Sequence, residues 1–266
     1  MENISVRPVI YWNKKSSETS PRTLIGEEPL SISIQGNPYS VVMRTPGDEI
    51  AHVAGFCLAE GIVDTINDLG AIAFCDEKDT NAVSVTLSES RRDKIPHLLE
   101  RRGVISQTGC GLCGKELVKD LYQSIQPLTD TITLDTSKAL DCLEGLSDQQ
   151  PLRQQTRASH AAALYDKNFE LLAVAEDVGR HNALDKAIGK LFLSQKLQSA
   201  ILLVLSSRIS YELVQKAARA RIPVIFAVSR PTTLAVELAS ELNIALACHA
   251  KGTGLFIFCA EQRLVR

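Results

Sequence analysis

The chain predicts an α/β protein, and three observations carry that prediction. From residue 158 onward, short apolar runs alternate with segments of helical period over short connections, the pattern of a layered domain with parallel strand pairing. The run Ala200-Ile-Leu-Leu-Val-Leu205 is apolar throughout, as a strand covered on both faces must be. Before residue 150 the pattern differs: a hairpin, an amphipathic helix and an alternating strand suggest a smaller α+β part. At 266 residues the chain is long enough for a sizeable core.

The elements follow in order. Residues 1–25 are polar and rich in Ser and Thr, and read as a loosely held arm. Residues 31–34 and 39–43 are strands flanking Gln35-Gly36-Asn37-Pro38, a hairpin signal. Thr45-Pro46-Gly47-Asp48 then leads into a helix over 49–63. Its apolar positions Ile50, Val53, Ala54, Cys57 and Leu58 recur at helical spacing, with Thr45 or Asp48 as the cap. Residues 82–87 alternate as a strand, 91–101 read as a short helix, and 116–123 as another. Residues 126–156 are polar with a helical piece at 137–146, either a linker or a cover for the cysteine loop. Strands at 158–165 and 170–175 flank the turn Asp166-Lys167-Asn168, and a helix spans 181–193. Strand and helix then alternate at 200–205, 210–220, 223–228, 232–241 and 244–248, with a last strand at 255–259. The expected division is an arm at 1–25, an N-terminal α+β part at 26–150 and an α/β domain at 151–266; the two larger parts could share one sheet.

Composition narrows the function classes. The chain is 45% hydrophobic and 23% charged, with a net charge of -2, so no global basic field for nucleic acid is implied. No run reaches the ~18 apolar residues of a membrane span. Lys14, Lys15 and Glu18 interrupt any signal-peptide pattern, so a cytoplasmic protein is expected. Seven cysteines, an odd number at scattered spacing, argue against a disulfide framework. Cys57 and Cys248 sit in apolar stretches and read as small core residues.

Cys110 and Cys113 are different. They lie in Thr108-Gly-Cys-Gly-Leu-Cys-Gly-Lys115, where glycines leave the sulfurs uncovered and Lys115 favours thiolate, the nucleophilic form. A zinc ribbon needs a second close cysteine pair, and none is present, so no metal site is expected. A zinc deaminase needs H-x-E and later P-C-x-x-C, but neither His52 nor His160 is followed by such a Glu, and Gly109 precedes Cys110. Sulfur or redox chemistry at the thiols remains.

The stretch Glu176-Asp-Val-Gly-Arg-His-Asn-Ala-Leu-Asp-Lys186 packs acids, bases, an imidazole and an amide into one strand-to-helix turn, where ligands gather in α/β folds. Its simpler role is capping by Asp177 or Asn182. His160 reads first as an interior histidine. Ser206-Ser-Arg-Ile-Ser-Tyr-Glu212, Ser229-Arg-Pro-Thr-Thr233 and His249-Ala-Lys-Gly-Thr-Gly254 are turns with hydroxyls, cations or glycines at strand ends. Three anion-favouring turns on one edge point to a nucleotide-bearing ligand.

These motifs together, with Gly55-Phe56, Ala59-Glu-Gly-Ile62, His160-Ala-Ala-Ala163, Ala227-Val-Ser229 and Leu234-Ala-Val-Glu-Leu-Ala239, resemble the FdhD family of formate dehydrogenase accessory sulfurtransferases over nearly the whole chain from about residue 30. The resemblance implies a cytidine-deaminase-like three-layer α/β/α fold and a homodimer. It implies that sulfur from a cysteine desulfurase is carried as a persulfide on Cys110, with Cys113 assisting. The acceptor is the molybdenum cofactor in its bis-guanine-dinucleotide form, for use by formate dehydrogenase, with no membrane or nucleic-acid partner. The family's cofactor-binding stretch falls on His249, Ala250, Lys251, Gly252, Thr253 and Gly254. Two other readings stay open: a non-catalytic chaperone whose thiols only bind cofactor or metal, and a dithiol oxidoreductase that needs no nucleotide. The anion-favouring turns speak against the second.

Overall fold

A computed structural model describes residues 3–76, 79–93, 125–250 and 254–265. Its centre is a six-stranded sheet in the order β9-β8-β10-β11-β12-β13. These strands are β8 (His160–Tyr165), β9 (Leu171–Asp177), β10 (Leu202–Leu205), β11 (Val224–Ala227), β12 (Ala245–His249) and β13 (Leu255–Cys259). β10, β11 and β12 run parallel, and antiparallel neighbours close both sides. All four residues of β10 and of β11 are buried, as an apolar run without alternation requires.

Register then decides what meets at one edge. Leu205 pairs with Ala227 and Ala162, Ala227 with Cys248, His160 with Asp177, and His249 with Leu255. The ends of β9, β10, β11 and β12 therefore lie beside the starts of β8 and β13. His160 and the turns that begin at Glu176, Ser206, Ser229 and His249 lie at this edge.

Both faces of the sheet are covered. On one face Ala161, Ala163, Leu202, Val204, Val224 and Phe226 pack with Leu134, Ala139, Leu143 and Leu146 from the 126–156 segment. That segment contains β7 (Leu134–Asp135), α3 (Thr136–Glu144) and α4 (Pro151–Thr156). It is thus a cover over the sheet rather than a linker. The opposite face packs on α5 (Arg180–Leu193), α6 (Tyr211–Arg219) and α7 (Thr233–Glu241).

The N-terminal part does not share this sheet. It forms its own, in the order β4-β3-β6-β5. The strands are β3 (Glu28–Ile34), β4 (Asn37–Arg44), β5 (Leu69–Asp76) and β6 (Asp79–Leu87), with α1 (Glu49–Ala59) packed on them and the four-residue α2 (Glu89–Arg92) following. Leu30, Ile32, Ile34, Val83 and Val85 join the same core as α1 and α5, so helices lie between two sheets. Contact between α1 and α5 is backbone to backbone. A Cβ on Gly55 would stand 2.0 Å from the Asp185 carbonyl oxygen, and one on Gly189 1.7 Å from that of Ala51.

Residues 4–25 form a ribbon, β1 (Ile4–Asn13) paired with β2 (Ser16–Ile25) over ten positions, where a loose arm was expected. Of the two caps expected for α1, Asp48 holds the N-cap position, but not through its side chain. Asp48 is left-handed (φ 60) and makes no side-chain cap; Glu49 accepts the Gly47 N–H at 2.6 Å, and Asp48 pairs with Lys190 at 2.7 Å. α2 occupies the start of the helix expected at 91–101; residues 94–101, the helix expected at 116–123, and Cys110 and Cys113 lie outside the described residues. A short β14 (Leu264–Val265) beside β7 ends the fold.

Candidate functional site

Asp177, the last residue of β9, is fully buried and answers four donors. Oδ2 accepts the Thr45 N–H at 3.0 Å and the Lys186 ammonium at 2.7 Å; Oδ1 accepts the Gly179 N–H at 2.8 Å and the Asn182 amide at 3.0 Å. Thr45 completes the bridge. Its carbonyl takes Lys186 Nζ at 2.7 Å and its hydroxyl accepts the Val178 N–H at 3.0 Å. Asn182 also donates to the Met43 carbonyl at 2.7 Å. A loop of the N-terminal part is thereby locked to the turn that starts α5. A Cβ on Gly179 would stand 2.8 Å from Asn182 Nδ2 and push that amide off its bonds to Asp177 and Met43.

The rest of the acid–base stretch is structural as well. Asp185 holds buried Lys216 at 2.8 and 2.9 Å; burial alone would depress that ammonium, but the attraction of Asp185 and Glu60 outweighs it and raises its pKa. Glu176 caps α4, accepting the Leu152 and Arg153 N–H groups at 2.7 and 2.9 Å and the Ser159 hydroxyl at 2.6 Å. The expected side-chain cap on α5 is absent: Gly179 is its N-cap, and Asp177 and Asn182 bind each other instead. Among the charged and imidazole side chains of the motif, Arg180 and His181 are left half-buried at the sheet edge.

Around them the edge is basic. His181 Nε2 lies 2.8 Å from Glu212 Oε2 and 3.2 Å from Ser210 Oγ, and this hydrogen bond holds the Glu212 carboxyl below its usual range. Burial, and then the neighbouring Arg208 guanidinium, lower Arg180. Burial, then Arg180, Arg153, His181 and Arg208, lower His160. Arg180 Nε and His160 Nδ1 are buried without a hydrogen-bond partner among the described residues. His160, expected as an interior histidine, therefore stands at the rim of the candidate site.

The three turns expected to favour anions do meet on this edge. In the first, Ser206 Oγ accepts the Ala161 N–H at 2.8 Å and Ser207 donates to the Arg208 carbonyl at 2.9 Å, so these hydroxyls serve the turn. In the second, Thr232 caps α7, and Arg230 lies over the Phe256 ring at 5.0 Å. In the third, the Ala250 N–H donates to the Gly254 carbonyl at 2.9 Å, Gly254 takes φ +139, and His249 lies 3.6 Å from Glu144. His249, Ala250 and Gly254 are at the edge; Lys251, Gly252 and Thr253 lie outside the described residues.

Of the other thiols, Cys75 is exposed and four are poor nucleophiles. Cys57 and Cys248 are buried, as expected of core residues, and burial pushes both thiols up. Burial likewise raises Cys259, and Cys142 to about 11. Among the described residues no three His, Cys, Asp or Glu side chains gather as a metal site, and no helix is long and apolar enough to cross a membrane.

Sequence reasoning missed the role of Thr45, taken as a helix cap, and that of His52. The latter is fully buried on α1, and neither ring nitrogen has a hydrogen-bond partner among the described residues. Burial, then Lys186, Lys216 and Arg44, hold its pKa well below the usual value. Burial of a histidine against Lys186 and Lys216, both far along the chain, leaves no local signal.

Known proteins share both sequence and fold. Residues 25–265 match the FdhD/NarQ family. A sulfur carrier protein FdhD of Streptomyces coelicolor is 38% identical over 268 residues, covering 97% of this chain and 94% of the relative. One of Mycobacterium tuberculosis is 37% identical over 260 residues, covering 92% and 93%. A crystal structure from Desulfotalea psychrophila, described provisionally as a formate dehydrogenase accessory protein, superposes with a TM-score of 0.79 over 99% of this chain and 100% of its own, at 22% identity, which is a likeness of fold. Match and relatives span almost the whole chain, so this protein belongs to the FdhD/NarQ family.

Proposed function

We propose that this protein is a sulfurtransferase that carries persulfide sulfur from a cysteine desulfurase to the molybdenum cofactor in its bis-guanine-dinucleotide form, for formate dehydrogenase. The observation that carries this reading is the glycine-framed pair Cys110 and Cys113 in a chain whose relatives are named sulfur carriers. Burial of Cys57, Cys248 and Cys259 supports it by removing three other thiols from contention, and exposed Cys75 has no second cysteine beside it in sequence. The basic edge supports a phosphate-rich acceptor, with His249, Ala250, Lys251, Gly252, Thr253 and Gly254 as its binding stretch. The parallel run β10-β11-β12 with helices on both faces supports the cytidine-deaminase-like α/β/α reading. The chain acts in the cytoplasm as a homodimer.

The chemistry follows from thiolate nucleophilicity. Cys110 thiolate attacks the outer sulfur of the donor persulfide. The donor S–S bond breaks, its cysteine leaves as thiolate, and Cys110 carries the sulfur as a persulfide. Cys113 thiolate then attacks the inner sulfur of Cys110. A Cys110–Cys113 disulfide forms, and the outer sulfur leaves with the electron pair as sulfide, bound for molybdenum. A cellular dithiol reductant restores both thiols.

The test is intact mass after incubation with a cysteine desulfurase and cysteine. Wild type should gain the mass of one sulfur and Cys110→Ala none, with unchanged circular dichroism. No adduct on wild type would sink the carrier assignment and favour the non-catalytic chaperone.

A further inference from the structure

We propose that Arg180, Arg208 and His160 form a binding site for a diphosphate group at the strand ends of the six-stranded sheet. This inference rests on the phosphate-rich acceptor of the proposed function and assigns its charge to residues that the 249–254 stretch does not include.

The first argument is a contrast among arginines. Arg44 pairs with Glu28 and Glu49, Arg91 and Arg219 with Asp64, and Arg263 with Asp130. Arg180 and Arg208 form no ion pair among the described residues, as Arg153, Arg157, Arg221 and Arg230 do not; what sets Arg180 apart is a buried Nε without a partner, in the field of Arg208. Glu212, the acid nearest to them, is engaged by His181 at 2.8 Å. Two guanidinium groups and an imidazole thus converge with no carboxylate of their own, and like charges at close range repel.

The second is that the arrangement is built. Arg180 follows Val178 and Gly179, whose N–H groups are pinned by Thr45 Oγ1 and Asp177 Oδ1 at 3.0 and 2.8 Å. The Lys186–Asp177–Thr45 bridge behind them is buried, so the turn cannot swing away to relieve the repulsion. Arg208, itself exposed, lies two residues beyond Ser206, whose Oγ accepts the Ala161 N–H of β8 and fixes the start of that turn. Two separate chain segments are therefore held side by side at the edge, each presenting an arginine, and an anion between them answers both.

The third is ligand chemistry. The orphaned Nε of Arg180 is one arm of a fork that suits two oxygens of a phosphate. Two guanidiniums plus the orphaned imidazole of His160 suit two linked phosphates better than one carboxylate.

Calorimetric titration with inorganic pyrophosphate tests the site. Wild type should bind saturably, more weakly as salt rises. Arg180→Gln and Arg208→Gln should each bind about tenfold or more weakly, the loss of one charge-assisted contact, while Lys167→Gln, in an exposed turn, binds as wild type does. Thr45→Val, which removes only the acceptor for Val178 N–H, should weaken binding, and Thr45→Ser should restore it. No saturable binding by wild type, or arginine variants that bind as tightly, overturns the proposal. Sulfur loading of Cys110, read in parallel by mass, keeps the two readings apart: loading without pyrophosphate binding overturns this site alone, and binding without loading overturns the carrier alone.

Discussion

Two populations of charge sit within one helical turn of each other, and they are handled in opposite ways. Behind the start of α5, Asp177 meets Lys186 and Asp185 meets Lys216, each at hydrogen-bond distance and out of water. In front of it, Arg180, Arg208 and His160 share a rim whose nearest carboxylate, Glu212, is engaged by His181. Buried pairs add little net stability but are severe to break, because the surviving partner is stranded in a poor dielectric. Unanswered surface cations cost little fold stability and are free to work. The difference teaches which half of the acid–base motif is frame and which is face.

The sharpest way to break the comparison is Asp185→Ala. It leaves the Lys216 ammonium buried and unpaired, and should lower unfolding free energy by about 3–5 kcal/mol in urea titration. A loss below about 1 kcal/mol would mean that the pair is not part of the frame. Next is Gly189→Ala, which forces α1 and α5 apart at a backbone contact and should cost about 1–3 kcal/mol by the same assay.

His52 gives a pH signature. Its folded pKa is depressed, so on acidification the unfolded chain takes up the proton first. Its contribution is complete above the unfolded value of about 6.5 and is lost as pH falls below it, by up to about 1.4 kcal/mol per pH unit. Melting temperature followed from pH 8 downward should show this slope, and His52→Leu should flatten it. The smallest effect has the opposite sign. Arg180→Gln relieves repulsion from Arg208 at a partly exposed site, and should leave stability unchanged or raise it by less than about 1 kcal/mol. A marked loss would move Arg180 from face to frame.

The comparison also explains what was legible in the sequence. β10, β11 and β12 could be read because a strand buried on both faces must be continuously apolar, and α5 to α7 because their apolar positions repeat. Edge convergence of the three turns followed from alternation alone. The ribbon of β1 and β2 escaped notice because Ser16–Ile25 is largely polar, with Ser, Thr, Glu and Pro where strand formers were sought. β5 was missed because Leu69–Asp76 carries one Gly, two Ala and a single β-branched residue, Ile72. Division of the acid–base motif into two roles could not be read at all. Thr45 and Asp177 lie 132 positions apart, and only the packed fold brings them to 3.0 Å. The same holds for the two sheets: nothing local says that helices would fill the space between them.

The close seating of Gly55 against Asp185 and of Gly189 against Ala51 has a consequence for motion. Helices separated by side chains can slide, because side chains change rotamer; helices whose main chains touch have no such lubricant. α1 and α5 should therefore behave as one rigid spindle, with amides that exchange with solvent only when the whole molecule opens. Any rearrangement that accompanies ligand arrival is then confined to the turns at the strand ends, and each sheet reports the position of the other.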